Sequence, residues 1–157
     1  MGDEELVERL ARAIHEHYLA AESRKGVKAG DTSAMAPWTV LGAYLREENR
    51  AQARDIEVKL ARIGCSISSG GEDMSGFAFT APEVEELSRD EHGRWTRHRE
   101  TAGWSYGPVR DDQARRHPGI VRWDLLSEAE RQKDRNVVRT IPALLAVVGL
   151  RPRRTSG

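Results

Sequence analysis

Three side chains in the second half of the chain, those of His92, Trp95 and Arg99, together suit the binding of an aromatic anion. They fall at positions i, i+3 and i+7, so a helix would present all three on one face. A tryptophan offers a plane for stacking a base, a histidine offers ring nitrogens for hydrogen bonds, and an arginine offers bidentate contact with a phosphate. The same spacing is repeated in the first half by His15, Tyr18 and Glu22.

A simpler interpretation of these aromatic residues is also open. Aromatic side chains at helical spacing are common in protein cores, so Tyr18 and Trp95 taken alone are more simply explained as core residues. Two further arginines, Arg110 and Arg116, are candidates for contact with a phosphate. For Arg110, an ion pair with a neighbouring aspartate explains the residue equally well.

The sequence offers no recognisable catalytic or metal-binding constellation. His15 and His17 are two positions apart, whereas a zinc-protease helix needs its second histidine at i+4, where Leu19 stands. The single cysteine, Cys65, excludes an internal disulfide and a thiolate metal cluster. We therefore expect no catalytic residue, no metal and no cofactor. Hydrolysis of a bound nucleotide is the least favoured function, and the protein is expected not to be an enzyme.

The overall composition narrows the class of partner. The 157 residues include 25 Lys+Arg and 25 Asp+Glu, so the formal net charge is zero and a long nucleic acid is disfavoured. The longest apolar stretch, residues 141–150, is far shorter than the roughly 20 residues that a membrane helix needs. The acidic N-terminus lacks the pattern of a secretion signal. We expect a cytoplasmic protein with no membrane partner.

The chain contains an internal repeat. Residues 37–65 align without a gap to residues 122–150, at a constant separation of 85 positions. The helix that precedes each segment repeats at a separation of 77 positions, so the second half carries eight additional residues between its helices. The aligned pairs are His15 and His92, Tyr18 and Trp95, Trp38 and Trp123, Leu41 and Leu126, Arg46 and Arg131, Arg50 and Arg135, Ile56 and Ile141, Leu60 and Leu145, and Gly64 and Gly149.

Each half has the pattern of a helix, a loop and a second helix. This pattern predicts a mainly α fold of two helix–loop–helix repeats related by a pseudo-two-fold axis. The first repeat covers about residues 3–66 and the second about residues 80–150, within a single domain, 1–157.

Local signals mark the ends of these elements. Capping-box spacing begins at Thr80 and again at Ser127, which predicts a helix start at each. The alternating segments 65–68 and 77–80 favour a short β-hairpin between the repeats. Residues 151–157 are expected to be a mobile tail.

An ordered series of motifs runs through the second half. It begins at Glu91-His92-Gly93-Arg94-Trp95, continues through Gly103-Trp104-Ser105-Tyr106-Gly107-Pro108-Val109-Arg110-Asp111-Asp112 and His117-Pro118-Gly119-Ile120-Val121, and ends in the helix start Leu126-Ser127-Glu128-Ala129-Glu130-Arg131. This series resembles the ryanodine-receptor-type repeat, or RyR domain, in its small stand-alone bacterial and phage form. The first half keeps the helices but has residues 21–26 in place of the Gly-Trp-x-Tyr-Gly-Pro loop.

The resemblance implies paired repeats with approximate two-fold symmetry and a cleft between them that holds an adenine nucleotide or a similar aromatic ligand. The aromatic residues would stack the base, the two histidines would hydrogen-bond it, and the arginines would contact phosphate. The ligand-binding residues expected in this way are Trp95, Tyr18, His92, His15, Arg99, Arg110 and Arg116.

The function implied by the resemblance is non-enzymatic binding of a small nucleotide or nucleotide-derived signal. Such a protein would sense or sequester the signal, in antiphage defence or counter-defence, and an effector protein is a further expected partner. The alternative is a protein–protein interaction module with no small-molecule ligand.

Overall fold

The computed structural model describes residues 4–69 and 76–155 of the chain. The chain divides into two compact units. We name residues Met1–Phe77 together with Pro142–Gly157 the N-terminal unit, and residues Ala78–Ile141 the central unit. The division does not follow the sequence repeat, because the second repeat from Pro142 onward belongs to the N-terminal unit.

The described residues are mainly helical, as the sequence predicts. In chain order, the α-helices are α1 (Glu4–Arg24), α2 (Ala43–Arg62), α3 (Ala81–Thr101) and α4 (Glu128–Val147). A short 3₁₀ turn precedes α2 (Trp38–Val40) and another precedes α4 (Trp123–Leu125). The strands are β1 (Cys65–Ser69), β2 (Ser105–Tyr106), β3 (Arg116–His117) and β4 (Leu150–Arg154). Within these described ranges, no helix is both long enough and apolar enough to cross a membrane.

The internal repeat is visible in the boundaries of these elements. Both ends of α3 lie 77 positions after the corresponding ends of α1, and both ends of α4 lie 85 positions after those of α2. The 3₁₀ turns and the strands β1 and β4 follow the same offset of 85. The two halves of the sequence therefore specify the same local structure, element by element.

Local chemistry explains where the helices begin and end. Thr80 and Glu83 form the predicted capping box, with the Thr80 Oγ1 accepting from the Glu83 amide at 3.3 Å and the Glu83 carboxylate accepting from the Thr80 amide at 2.8 Å. At the second predicted box, the amide of Glu130 donates to the Ser127 Oγ at 3.2 Å. Gly64 follows α2 with a φ of 72°, a conformation that favours glycine at a helix end.

The core of the N-terminal unit forms where α1 packs against α2. Apolar residues of α1 recur at helical spacing and are buried, including Val7, Leu10 and Ile14. They are matched by buried Ile56 and Leu60 on α2. In the central unit, α3 lies against the 3₁₀ turn that begins at Trp123. Its buried apolar residues are Val84, Leu87, Ile120, Trp123, Leu126, Val138 and Ile141.

The partner of β1 differs from the predicted one. The antiparallel partner of β1 is β4, whereas residues 77–80 form no strand. Instead of pairing with β1, Phe77 packs under the guanidinium of Arg154, 5.1 Å from its ring centroid. The expected turn of the hairpin lies partly outside the described residues.

Pairing with β1 gives the C-terminal segment a defined structure. Residues 151–157 are predicted to be a mobile tail, but residues 150–154 form β4 and the Thr155 amide donates to the Gly64 carbonyl at 2.9 Å. The physical reason is that β1 supplies backbone hydrogen-bond partners and a surface that buries Pro152. Within this strand pair, Ile67 lies opposite Pro152, and these two residues occupy equivalent positions in the two repeats.

Candidate functional site

The site-forming loop begins where α3 ends. Gly103 closes the helix with a φ of 90°, and the following loop returns so that β2 and β3 pair in parallel. The register places Tyr106 beside His117, and the Gly107 amide donates to the His117 carbonyl at 3.4 Å. A Cβ on Gly107 would lie 2.7 Å from the Cβ of Arg116, so the close approach of these two segments requires glycine.

Four side chains of α3 and this loop form one aromatic and cationic cluster. The Arg99 guanidinium lies 4.6 Å from the ring centroid of Trp104 and 5.3 Å from that of Trp95. The His117 ring meets Trp95 edge-on at a centroid distance of 4.8 Å and lies 6.4 Å from Trp104. We call Trp95, Arg99, Trp104 and His117 the Trp95 cluster. Arg99 is buried, while the three rings are partly exposed, so the cluster combines a held positive charge with accessible aromatic surface.

The electrostatic environment of the cluster favours an anion. Burial, together with the charges of Arg99 and Arg110, lowers the pKa of His117 to about 4. The hydrogen bond from Arg110 lowers the pKa of Asp112, and the charges of Arg99 and His117 act in the same direction. The positive charges of Arg99 and Arg110, which disfavour protonation of His117, would also attract a negatively charged ligand.

A surface depression of about 840 Å³ lies in the same loop, lined by residues 106–113 and Arg116. The two loop arginines expected to reach phosphate both line it. Arg110 donates to the Asp112 carboxylate at 2.8 Å, which matches the ion pair considered as its alternative role. Arg116 donates to the Ser105 hydroxyl. Tyr106 adds an exposed aromatic ring to the depression.

The two histidines expected to contact a ligand, His15 and His92, each lie against the loop that leads into a 3₁₀ turn. Both are buried, and their ring nitrogens hydrogen-bond to backbone carbonyls, His15 to Ala36 at 2.5 Å and His92 to Val121 at 2.6 Å. Ala36 and Val121 are themselves equivalent residues of the repeat. The bonds tie each first helix to the segment that leads into the 3₁₀ turn, which favours a structural role for both rings.

The aromatic partners of these histidines are also repeated. Tyr18 stacks on His15 with ring centroids 6.2 Å apart, and Trp95 stacks on His92 at 6.1 Å, each with an interplanar angle of 21°. Tyr18 is exposed to 37%. The geometry brings each aromatic residue together with its own histidine, Tyr18 in the N-terminal unit and Trp95 in the central unit.

The repeats differ in charge at the position of Arg99. Its equivalent in the first repeat is Glu22, which pairs with Lys25 at 3.1 Å. The first repeat also has no counterpart of the loop that carries Trp104 and His117. Since a carboxylate repels phosphate, the features that suit an anion are confined to the second repeat.

A second symmetric set of contacts supports this scaffold. Glu8 accepts two hydrogen bonds from Arg50, the shorter being 2.7 Å, and this hydrogen bonding lowers the pKa of Glu8. The repeat-equivalent Glu85 pairs with Arg135 at 3.1 Å, and its pKa is lowered by the same cause. Both arginines also lie over a buried tryptophan, which for Arg135 is Trp123 at 5.8 Å.

Sequence reasoning did not select two members of the cluster, Trp104 and His117, as ligand-binding residues. Their position depends on a loop whose return path is set by β2 and β3, and strands of two residues leave almost no periodic signal. A usable signal was the His117-Pro118-Gly119 motif, because a Cβ on Gly119 would meet the His117 ring at 3.1 Å. Glycine at position 119, two residues after His117, lets the backbone lie close to the imidazole ring.

These features define a mainly helical protein of two local repeats, in which the second repeat alone carries a loop-built aromatic and cationic cluster. Residues 80–152 match the family model described as RyR domain. The match covers slightly less than half of the chain and supports the resemblance to the RyR domain that the motif series indicates. The match contains every member of the Trp95 cluster and ends within β4.

Proposed function

We propose that this protein is a non-enzymatic binding protein for a small nucleotide or nucleotide-derived signal, with an adenine-type base favoured. The observation that carries the proposal is the Trp95 cluster, in which a buried guanidinium lies between two partly exposed indole rings. In this proposal the base stacks on the exposed aromatic surface of the cluster. Phosphate lies toward the arginines, whose charge is already felt at His117.

The chemistry of His117 supports binding without turnover. Its Nδ1 accepts a hydrogen bond from the Gly119 amide at 2.9 Å, and its pKa of about 4 keeps the ring neutral at physiological pH. A neutral ring whose Nδ1 is occupied carries its proton on Nε2, so neither nitrogen is available as a general base. We therefore expect nucleotide recovered after incubation with the protein to be chemically unchanged, as chromatography of the mixture would show.

The biological setting that we propose is cytoplasmic sensing or sequestration of the signal, in antiphage defence or counter-defence. Both roles need a ligand that is held without being consumed. They differ in whether binding is reported to an effector protein or simply lowers the free concentration of the signal.

The first test of the proposal is a thermal-shift panel at fixed salt with AMP, ADP, ATP, ADP-ribose and cyclic oligonucleotides. A ligand present at 100 times its dissociation constant stabilises the folded state by about 2.7 kcal/mol, which raises the melting temperature by several degrees in a chain of this size. Trp95→Ala should weaken binding by about 1–3 kcal/mol, because one stacking surface is lost. A flat panel with folded wild-type protein would contradict the proposal.

A second candidate function, docking of a protein partner, is favoured by one observation. The loop exposes two apolar side chains close together in sequence, Tyr106 at 54% and Val109 at 75%. Partner capture that is equal for wild type and Trp95→Ala, together with a flat nucleotide panel, would favour this function over ligand binding.

A further inference from the structure

The His117-Pro118-Gly119 motif holds an imidazole ring in one orientation. The Gly119 amide donates to Nδ1 at 2.9 Å, and the ring edge packs against Trp95 at a centroid distance of 4.8 Å. A side chain at position 119 would begin 3.1 Å from the ring, so glycine leaves room for this arrangement without displacement of the ring. His117 is thus positioned by its own backbone and by the cluster on which the proposed function depends.

The hydrogen bond to Nδ1 also determines the tautomer. An amide N–H can donate only to an unprotonated ring nitrogen, so the proton of the neutral ring is on Nε2. Among the residues that the structure describes, Nε2 has no hydrogen-bond partner. The ring is about half buried, which leaves this N–H as an available donor beside aromatic surface.

Charged groups from several elements surround the ring. Arg99 faces it from α3, Arg110 and Asp112 from the loop, and Glu130 and Lys133 from α4. The charges of Arg99 and Arg110 exert the largest of these charge effects on His117. An anionic oxygen placed at Nε2 would therefore be attracted by both charges as well as by the N–H.

We propose that His117 is a further ligand-binding residue, whose Nε2–H donates one hydrogen bond to a phosphate oxygen of the bound nucleotide. This inference rests on the proposed function and adds a specificity: His117 distinguishes a phosphorylated ligand from the corresponding nucleoside. Because the bound phosphate brings negative charge to the ring, it also raises the pKa of His117 above its value in the free protein.

The test compares AMP with adenosine in calorimetric titrations of wild type, His117→Phe and His117→Gln at one pH and salt concentration. His17→Phe is the matched control, since His17 is an exposed histidine of α1. Loss of a hydrogen bond to a charged group predicts about 10- to 100-fold weaker AMP binding by His117→Phe, a much smaller change in its adenosine affinity, and no change in the His17→Phe control. His117→Gln, which keeps an N–H donor, should recover part of the loss.

Nuclear magnetic resonance of ¹⁵N-labelled wild type tests the same contact without a substitution. In the free protein the His117 ring should show the Nε2–H tautomer, and AMP but not adenosine should shift the Nε2 signal and raise the pKa. AMP binding that is equal in wild type and His117→Phe, with an unmoved Nε2 signal, would overturn this inference alone. Absence of binding by folded wild type to AMP and to every other nucleotide of the panel would overturn the proposed function with it.

Discussion

At the scale of single residues, the two repeats differ more in charge than in shape. The stacked aromatic–histidine pairs are nearly superimposable in distance and angle, yet Arg99 is replaced by Glu22 in the first repeat. Under the proposed function, an aromatic ligand without phosphate could therefore stack on either aromatic residue, whereas a phosphorylated ligand would favour the second repeat. The position of one guanidinium is thus the main determinant of the proposed specificity.

His117 should make the stability of the fold depend on pH in a defined window. Its pKa of about 4 in the folded state lies below the ordinary value of 6.5, so between these values the unfolded chain binds the proton more readily. The free energy of unfolding should fall by about 1–2 kcal/mol as pH falls from 6.5 to 4, after allowance for the screening of a half-buried group. Urea unfolding at several pH values measures this change.

The substitution His117→Phe isolates that contribution, because the new ring has no proton to bind. The difference in unfolding free energy between wild type and His117→Phe should change with pH above 4, while His17→Phe should track wild type. Glu8, Glu85 and Asp112, whose pKa values are lowered by arginine hydrogen bonds, begin to lose their stabilising effect below their ordinary pKa values of 4.5, 4.5 and 3.8. If the difference in unfolding free energy between wild type and His117→Phe stays constant from pH 6.5 to 4, the lowered pKa of His117 is contradicted.

At the scale of elements, the same histidine-to-carbonyl bond fastens the first helix of each repeat. His15→Leu and His92→Leu each leave a carbonyl, that of Ala36 or Val121, without its ring partner. Each change should lower the unfolding free energy by about 1–3 kcal/mol, since both sites lose the bond to a carbonyl, and His92→Leu also loses the 3.6 Å contact of Nδ1 with the Asp134 carboxylate.

Chemical denaturation of the two variants gives the comparison directly. Nucleotide affinity measured on folded His92→Leu separates a structural role from a direct one. If the His92 ring only fastens the loop, folded His92→Leu should bind nucleotide with nearly wild-type affinity. A folded variant that has lost affinity would instead indicate that His92 contacts the ligand, as the sequence predicts.

The pairing of β1 with β4 predicts order near the C-terminus. Amides whose hydrogen bonds lie within the strand pair, such as those of Ser66 and Arg153, should exchange with solvent far more slowly than amides of an unpaired tail. Deletion of residues 150–157 should destabilise the N-terminal unit, because β1 loses its partner strand. Rapid exchange across 150–154 would contradict the strand pairing.

At the scale of the whole molecule, the sequence was most informative where the signal is local or repeated. Helix positions, the capping box at Thr80 and the offsets of 77 and 85 follow from residue types and spacing alone. The partner of β1 could not be read in this way, because residues 77–80 alternate as convincingly as residues 150–154 and the true pairing joins distant segments.

The candidate site was only partly predictable for a related reason. Trp95 and Arg99 share a helix face, and helical spacing brings them together in sequence. Trp104 and His117 join them only through the folded path of a loop, and the carbonyl partners of the histidines are backbone atoms with no signature in the sequence. Motif resemblance located the loop, while the contacts within it required the structure.

The most direct test of the central claim is calorimetric titration of AMP into wild type, Arg99→Gln and Arg97→Gln at one pH and salt concentration. Arg97 is an exposed residue of the same helix, so its substitution removes the same charge outside the cluster. We predict saturable binding by wild type and by Arg97→Gln, and binding at least about 10-fold weaker by folded Arg99→Gln, because a charge-assisted contact with phosphate is lost. Equal affinities for all three proteins, or no binding by wild type of AMP or of any other nucleotide in the panel, would contradict the account.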